Sequence, residues 1–304
     1  MRAHRQRRDA DRGFIIVAVL WIILALATLA SIYAVYVVRT AYALGPSDDR
    51  IRADALFTAA LELTAYRLTA LPPDRRPSNG RADFRMGGAT VTARFASEAA
   101  RIDLNAAPKP LLTNLFAVLG ARFEDAEQFA DRIIAWRTQA QRNGQTDAES
   151  EAYRVAGRNY GPRHAPFEDV AELWLVRDLP PAMVERALPY VTVFSGAPQI
   201  NILDAAPTVL AALPGVDRDQ VNAVLAVRQT PQVDGQAVLA ALATAKSSAT
   251  IQVGRSVRVS VNVQFERGSR ANAEIVILLR DDAQEPYRIL SWRDDFDQVA
   301  PGGG

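Results

Sequence analysis

The chain has no cysteine and only two histidines, His4 and His164. A disulfide framework and a thiolate metal site are therefore excluded, although many extracytoplasmic proteins also lack disulfides and the absence names no compartment. Nucleophilic catalysis that leans on an imidazole base has two positions to choose from, one near the N-terminus and one in a proline-bounded loop that reads as solvated. There is no GxSxG elbow, HExxH helix or GxxxxGK[ST] loop, so motifs for acyl transfer, zinc hydrolysis and nucleotide binding are missing, and no enzyme is expected. Net charge is nearly absent too. With 35 basic and 34 acidic residues the balance is +1, which offers no global field to draw nucleic acid or an acidic polymer.

A long uncharged run is present, from Phe14 to Val38, opening with GFIIVAVLWIILAL. At about 1.5 Å per residue it can cross a hydrocarbon layer roughly 30 Å thick. Arg2, Arg5, Arg7, Arg8 and Arg12 precede it, against only Asp9 and Asp11, so the positive-inside bias leaves the leader in the cytoplasm and the bulk of the chain across the membrane. The chain has 304 residues, 49% hydrophobic and 23% charged, which leaves room for one or two ordinary domains after this run.

Gly45 and Pro46 interrupt the helical pattern, and Ser47, Asp48 and Asp49 offer N-cap chemistry for a new start, so a bend or break is expected there. From Asp49 to Leu71, Phe57, Leu61, Thr64 and Leu68 recur at helical spacing and give one face to lie on a sheet, until Pro72 and Pro73 end the helix. Phe84 to Phe95 alternates around Gly87-Gly88, as a hairpin or bulged strand does. Near the C-terminus, Ser256 to Phe265 places Val257, Val259, Val261 and Val263 on one face, and Ala273–Arg280 and Tyr287–Trp292 follow across polar turns as an antiparallel meander. Residues 106 to 247 read as helical. The chain thus leaves a sheet and returns to it, an α+β arrangement with a helical domain inserted.

Within the helical stretch the sequence repeats itself. IDLNAAPKPLLTNLFAVLG from Ile102 resembles INILDAAPTVLAALPGV from Ile200, each a short extended piece, a helix start at Pro108 or Pro207, and an apolar helix ending at Gly120 or Gly215. Phe123, Ala126, Phe129, Ile133 and Trp136 mark a following amphipathic helix in the first copy, and Val221, Val224, Leu225 and Val227 mark one in the second. Helix, tight turn, helix is also the plan of units that bind DNA phosphates through a glycine hairpin. Asp217 in one hairpin and Glu124 and Asp125 in the other place negative charge where the phosphate would sit, so nucleic-acid binding by a membrane-tethered uptake protein stands as the alternative reading. The acidic cluster Asp147, Glu149 and Glu151 has the alternation of a calcium loop, or is a solvated loop, since three carboxylates fall short of the usual 6 to 8 oxygens.

These residues together resemble the minor pseudopilin K family of type II (general) secretion systems. Gly13-Phe14 at the head of the apolar helix looks like a prepilin-peptidase site, and YGPRHAPFEDVAELWLVRDLP, with Pro166, Phe167, Glu172, Leu173 and Val176, looks like the family's proline-flanked segment. The resemblance implies cleavage between Gly13 and Phe14, N-methylation of Phe14, and no cofactor beyond a possible structural calcium. It implies a leader at 1–13, a transmembrane assembly helix at 14–38, a stalk helix and the first part of a pilin-like sheet domain at 39–105, an inserted all-α domain with two helix-hairpin-helix-like repeats at 106–247, and the last strands and tail at 248–304. It further implies a single-pass inner-membrane protein with its C-terminal domain in the periplasm. The implied partners are minor pseudopilins of the I and J types, the major pseudopilin, the prepilin peptidase and the inner-membrane assembly platform. Ala18 stands where most pilins carry a glutamate that neutralises a neighbour's N-terminal amine, and an unpaired carboxylate in lipid would cost several kcal/mol, so its absence suits a subunit at the filament tip.

Overall fold

The computed structural model describes residues 6–139, 148–230, 234–242, 245, 247–266, 268–281 and 284–297. In chain order the elements are α1 (Gln6–Thr69), β1 (Asn79–Met86), β2 (Ala89–Ser97), β3 (Ile102–Asp103), α2 (Lys109–Val118), α3 (Phe123–Arg137), α4 (Ala148–Val155), α5 (Pro181–Ala187), β4 (Val191–Thr192), β5 (Ile200–Asn201), α6 (Pro207–Ala211), α7 (Arg218–Val227), α8 (Gly235–Ala241), β6 (Ala249–Thr250), β7 (Ser256–Phe265), β8 (Arg270–Leu279) and β9 (Tyr287–Asp297).

α1 runs unbroken through Gly45 and Pro46, where the sequence suggested a bend or a new start. The proline withholds a single N–H from the ladder, and the helix continues past it although Gly45 before it and Ser47, Asp48 and Asp49 after it are weak helix formers. Asp49, expected to cap a second helix, is instead a buried residue inside the first, and its carboxylate accepts a 2.9 Å hydrogen bond from Ser269. Beyond it Phe57, Leu61, Thr64 and Leu68 are all buried, as their spacing requires. They lie on one face of a five-stranded antiparallel sheet ordered β1-β2-β7-β8-β9. The β1–β2 hairpin turns at Gly87 and Gly88, with φ of 60° and 73°, a pair of left-handed residues that only glycine adopts cheaply and that matches the sheet's twist. In β7, Val257, Val259, Val261 and Val263 face α1 and are buried, so each strand spends alternate residues on this core.

Between β2 and β7 the chain builds a second, separate apolar core. It includes Ile102 and Leu104, before the expected start at 106, and Ala249, beyond 247. This part is not wholly helical. β3 pairs with β4 and β5 with β6, each as a two-residue parallel ladder, too short to leave a period in the sequence. Where the two cores meet, Glu98, 1% exposed, accepts from Arg258 Nε of β7 at 2.7 Å and Nη2 at 3.0 Å and from the Thr192 hydroxyl of β4. Burial alone would lower the Arg258 pKa, but its hydrogen bonds to the Glu98 carboxylate reverse this and hold it above its ordinary value. Asn79 of β1 donates to Asp204 at 2.7 Å, and Arg293 of β9 pairs with Asp169, so both sheet edges are also tied to the helical part.

Candidate assembly helix and helical platform

The stretch Val17–Tyr36 of α1 is long and apolar enough to cross a membrane, and none of it is buried inside the molecule. Trp21, Leu29, Ile32 and Tyr33 stand out into the surroundings. The Thr28 and Ser31 hydroxyls are satisfied within the helix, donating to the Ala25 carbonyl at 2.8 Å and the Ala27 carbonyl at 2.9 Å, so neither would be stranded in hydrocarbon. Ala18 lies on this stretch, half-buried, and Gly13 and Phe14 lie within α1 ahead of it.

The helical platform rests on two strand-turn-helix starts with the same bonding. Asp103 Oδ1 accepts from Asn105 N at 2.7 Å and the Asp103 carbonyl from Ala107 N at 2.8 Å; Asn201 Oδ1 accepts from Leu203 N at 2.9 Å and its carbonyl from Ala205 N at 3.0 Å. Leu104 N and Ile202 N then donate to Thr192 and Thr250 of the partner strands. Matched this way, Asp103 corresponds to Asn201, one residue off the alignment that the Ala-Ala-Pro motifs suggest. Pro108 is accordingly the N-cap of α2, whereas Pro207 is the first residue of α6.

Each start is clamped by an arginine from the end of the next long helix. Arg137 of α3 donates to the Leu104 and Ala107 carbonyls, and Arg228, just past α7, donates to Ile202 and Ala205, the corresponding pair. Burial pulls both guanidinium pKa values down. In sequence each arginine is a basic residue at or just past a helix C-terminus, which the helix dipole favours whether or not the side chain reaches a distant carbonyl. The signal that could have revealed the clamps was their recurrence at the same end of the second helix in both copies.

The glycines at the hairpin turns have positive φ, 100° at Gly120 and 76° at Gly215. The second hairpin closes the N-terminus of its next helix with a side-chain cap, while the first has no side-chain cap and places an ion pair there. Asp217 caps α7 with a reciprocal bond to Gln220, and Arg122 ahead of α3 is paired to Asp125 at 2.8 Å. The repeat stripes are buried at Ala126, Phe129, Ile133, Trp136, Val221 and Val224, with Leu225 and Val227 partly covered, but Phe123 at the head of α3 is 56% exposed. It sits in the first turn, where the helix has not yet reached the core.

The proline-flanked segment packs onto α3. Phe167 stacks on Trp136 with ring centres 5.9 Å apart, and its backbone is held from both sides by the Asn105 amide, at 2.7 and 2.9 Å. Glu172 accepts from Trp136 Nε1 at 3.0 Å and from the Glu168 backbone at 2.8 Å. Leu173 and Val176 are buried, while Pro166 is exposed. His164, expected to be free in water, is half-buried with φ 54°; Nδ1 contacts the Thr138 carbonyl at 3.0 Å and Nε2 the Ser150 hydroxyl at 3.3 Å. A carbonyl only accepts, so Nδ1 carries the proton and the ring serves as a loop pin.

Of the acidic cluster, Asp147 lies outside the described residues. Glu149 and Glu151 fall on α4, a helix and not the loop expected, so their side chains point about 200° apart. Glu149 is 3.2 Å from Arg177, and Glu151 accepts from Arg154 Nε at 2.8 Å. Among the described residues no group of three or more potential ligands converges.

Residues 94–196 match the family model described as type II secretion system (T2SS), protein K. The type II secretion system protein K of Pseudomonas aeruginosa is 30% identical over 115 residues, 38% of this chain, and the match spans only 34% of that protein's length. A chain of the GspK-GspI-GspJ complex from the enterotoxigenic Escherichia coli type 2 secretion system superposes with a TM-score of 0.55 at 16% identity, covering 86% of this chain and 99% of that one, a likeness of fold. The matches over residues 94–196 and over those 115 residues are to the family that the sequence resembles, type II secretion system protein K.

Proposed function

We propose that the chain is a non-enzymatic minor pseudopilin, cleaved between Gly13 and Phe14, methylated on Phe14, and held in the inner membrane by α1 with its N-terminus cytoplasmic and its folded part periplasmic. The observation that carries the reading is α1 itself: one continuous helix that is exposed and apolar over Val17–Tyr36 and then lies along a sheet over Phe57–Leu68. A helix of that design couples a membrane anchor rigidly to a folded head, as a filament subunit extracted from lipid requires. The domain division 14–38, 39–105, 106–247 and 248–304, with two helix-hairpin-helix-like units in the insertion, belongs to this proposal and is supported by the separate cores and the paired arginine clamps.

The chain's place in this reading is the tip of the pseudopilus, beside other minor pseudopilins, initiating or capping a filament that exports folded proteins. Ala18 supports it, since a tip subunit has no amine above it to neutralise. The bulk between β2 and β7 supports it too, being hard to seat inside a packed filament. The test is intact-mass and N-terminal peptide analysis of membrane-extracted protein made with and without a prepilin peptidase. A mature chain starting at methylated Phe14 only when the peptidase is present upholds the class, and an intact leader removes it. For the tip, Ala18→Glu is expected to allow incorporation within filaments where the parent sits at the end, and equal internal placement of both sinks the assignment.

A further inference from the structure

The sheet face turned away from α1 carries positive charge that the rest of the chain leaves unmatched. Strand register sets Arg81 of β1 opposite Arg94 of β2, and Arg94 opposite Ser260 of β7; two residues along, Arg258 lies on the same face opposite Ala96. Arg101 enters from the turn that leads from β2 into β3. These four arginines, with Asn79 and Ser260, line a cleft of about 460 Å³ on this face of the sheet.

The nearby carboxylates are already engaged. Asp83 accepts from Arg81 at 2.7 Å and from Thr92 at 2.6 Å, Glu98 and Glu274 are taken by Arg258, and Asp204 accepts from Asn79 and Asn201 at 2.7 and 2.9 Å. The side chains of Arg94 and Arg101 make no hydrogen bond or ion pair among the described residues. Arg94 is exposed and Arg101 half-buried; the Arg101 pKa is pulled down first by burial and then by the charge of Arg258, against the opposing pull of Glu98 and Glu274. An anion entering the cleft would give both guanidinium groups a charge-assisted hydrogen-bond partner.

The position of the cleft identifies the source of the anion. Ser269, in the β7–β8 turn, binds Asp49 of α1, while Arg76 binds the Leu68 carbonyl at the other end of the helix and pairs with Asp281 past β8, so the strands run along α1. Arg258 and Asn79 lie at the Leu68 end, roughly 45 Å of helix beyond Tyr36 at about 1.5 Å per residue. That is several Debye lengths of about 8 Å from any lipid headgroup. The cleft also has the volume of a pocket for a small molecule or several side chains, far more than a single free ion fills.

We propose that this cleft receives a carboxylate side chain presented by a neighbouring protein subunit, with Arg94 and Arg101 as its two donors. The proposal rests on the reading of the chain as a member of a multi-protein assembly, and the test separates the two. Full-length chain in detergent micelles is footprinted with phenylglyoxal, which modifies free guanidinium groups, and labelling is read by peptide mass spectrometry. Succinate is titrated against chloride at equal ionic strength, and the same footprint is taken in membranes that contain the other pseudopilins. Arg94 and Arg101 are expected to label readily in the isolated chain, and Arg101 labelling to fall about tenfold under saturating succinate and in the assembly, as for a site about 90% occupied. The Arg94→Gln/Arg101→Gln double variant is expected to keep its unfolding midpoint yet lose co-purification with its neighbours.

Several results overturn the proposal. If neighbours co-purify but Arg101 stays as reactive as in the isolated chain, the cleft claim fails and the assembly reading stands. If succinate protects and the assembly does not, the cleft is a small-anion site and the protein occupant is wrong. If no neighbours co-purify in any form, the assembly reading fails and takes the occupant with it.

Discussion

Arg137 closes the first strand-helix-helix segment of the platform and Arg228 the second, each by holding two carbonyls of the turn ahead of the first helix. The filling behind the two clamps differs. The first segment packs Phe116 edge-on to Phe129 at 5.6 Å and stacks Trp136 on Phe167, over helices running Lys109–Val118 and Phe123–Arg137. The second has a five-residue α6 and no aromatic residue between Ile200 and Ile251. The same polar geometry is therefore built on an aromatic-rich part and on an aromatic-free part of one shared core. The turn is specified by hydrogen bonding, and the depth of packing sets how firmly it is kept.

Four sets of substitutions test that contrast. Trp136→Ala has the largest expected effect, about 3–5 kcal/mol by urea unfolding of the full chain in detergent, because it opens a cavity and removes one of the donors to Glu172. An effect no larger than that of Val224→Ala would mean the two segments do not differ in packing as described. Glu98→Ala comes next at about 3 kcal/mol, since it leaves Arg258 buried with only Glu274 beside it. It is expected to loosen the junction of sheet and platform while both cores keep their slow amide exchange; collapse of either core would show the junction to be part of it.

Arg137→Ala and Arg228→Ala each leave two carbonyls short of a donor, at about 1–3 kcal/mol. Hydrogen exchange should rise at Ala205 and Leu210 in the Arg228 variant without change in α2 and α3. Equal loosening of both segments would show that they open as one unit. Gly120→Ala and Gly215→Ala are the mildest, at about 1 kcal/mol each for a side chain forced to positive φ. Matching costs at the two glycines beside unequal costs at the two arginines would locate the difference in the packing and not in the turns.

Much of this was legible in the chain. The α1 stripe at Phe57, Leu61, Thr64 and Leu68 and the valines of β7 follow helix and strand periods, and each ended on the face its period assigned. The Gly45-Pro46 break was misread because breakers are weighed locally, while a long helix needs only its flanks to persist. The acidic cluster was misread because alternation suits a ligand loop only in extended chain, and Ala148–Val155 is helical. The clamps were missed because an arginine at a helix end looks the same in sequence whether it faces water or a distant carbonyl.

The sequence by itself determined the membrane-length helix, the apolar faces of helices and strands, the hairpin at Gly87-Gly88 and the presence of two similar segments. Each depends on residues within a few positions of one another, where backbone geometry is decided by local sterics and period. Only the tertiary structure decided that Glu98 meets Arg258, 160 residues away, that two-residue strands pair in parallel, and that four arginines line one cleft. These depend on which surfaces the two cores bring together, and a buried charge has its partner chosen by the fold and not by its neighbours in the chain.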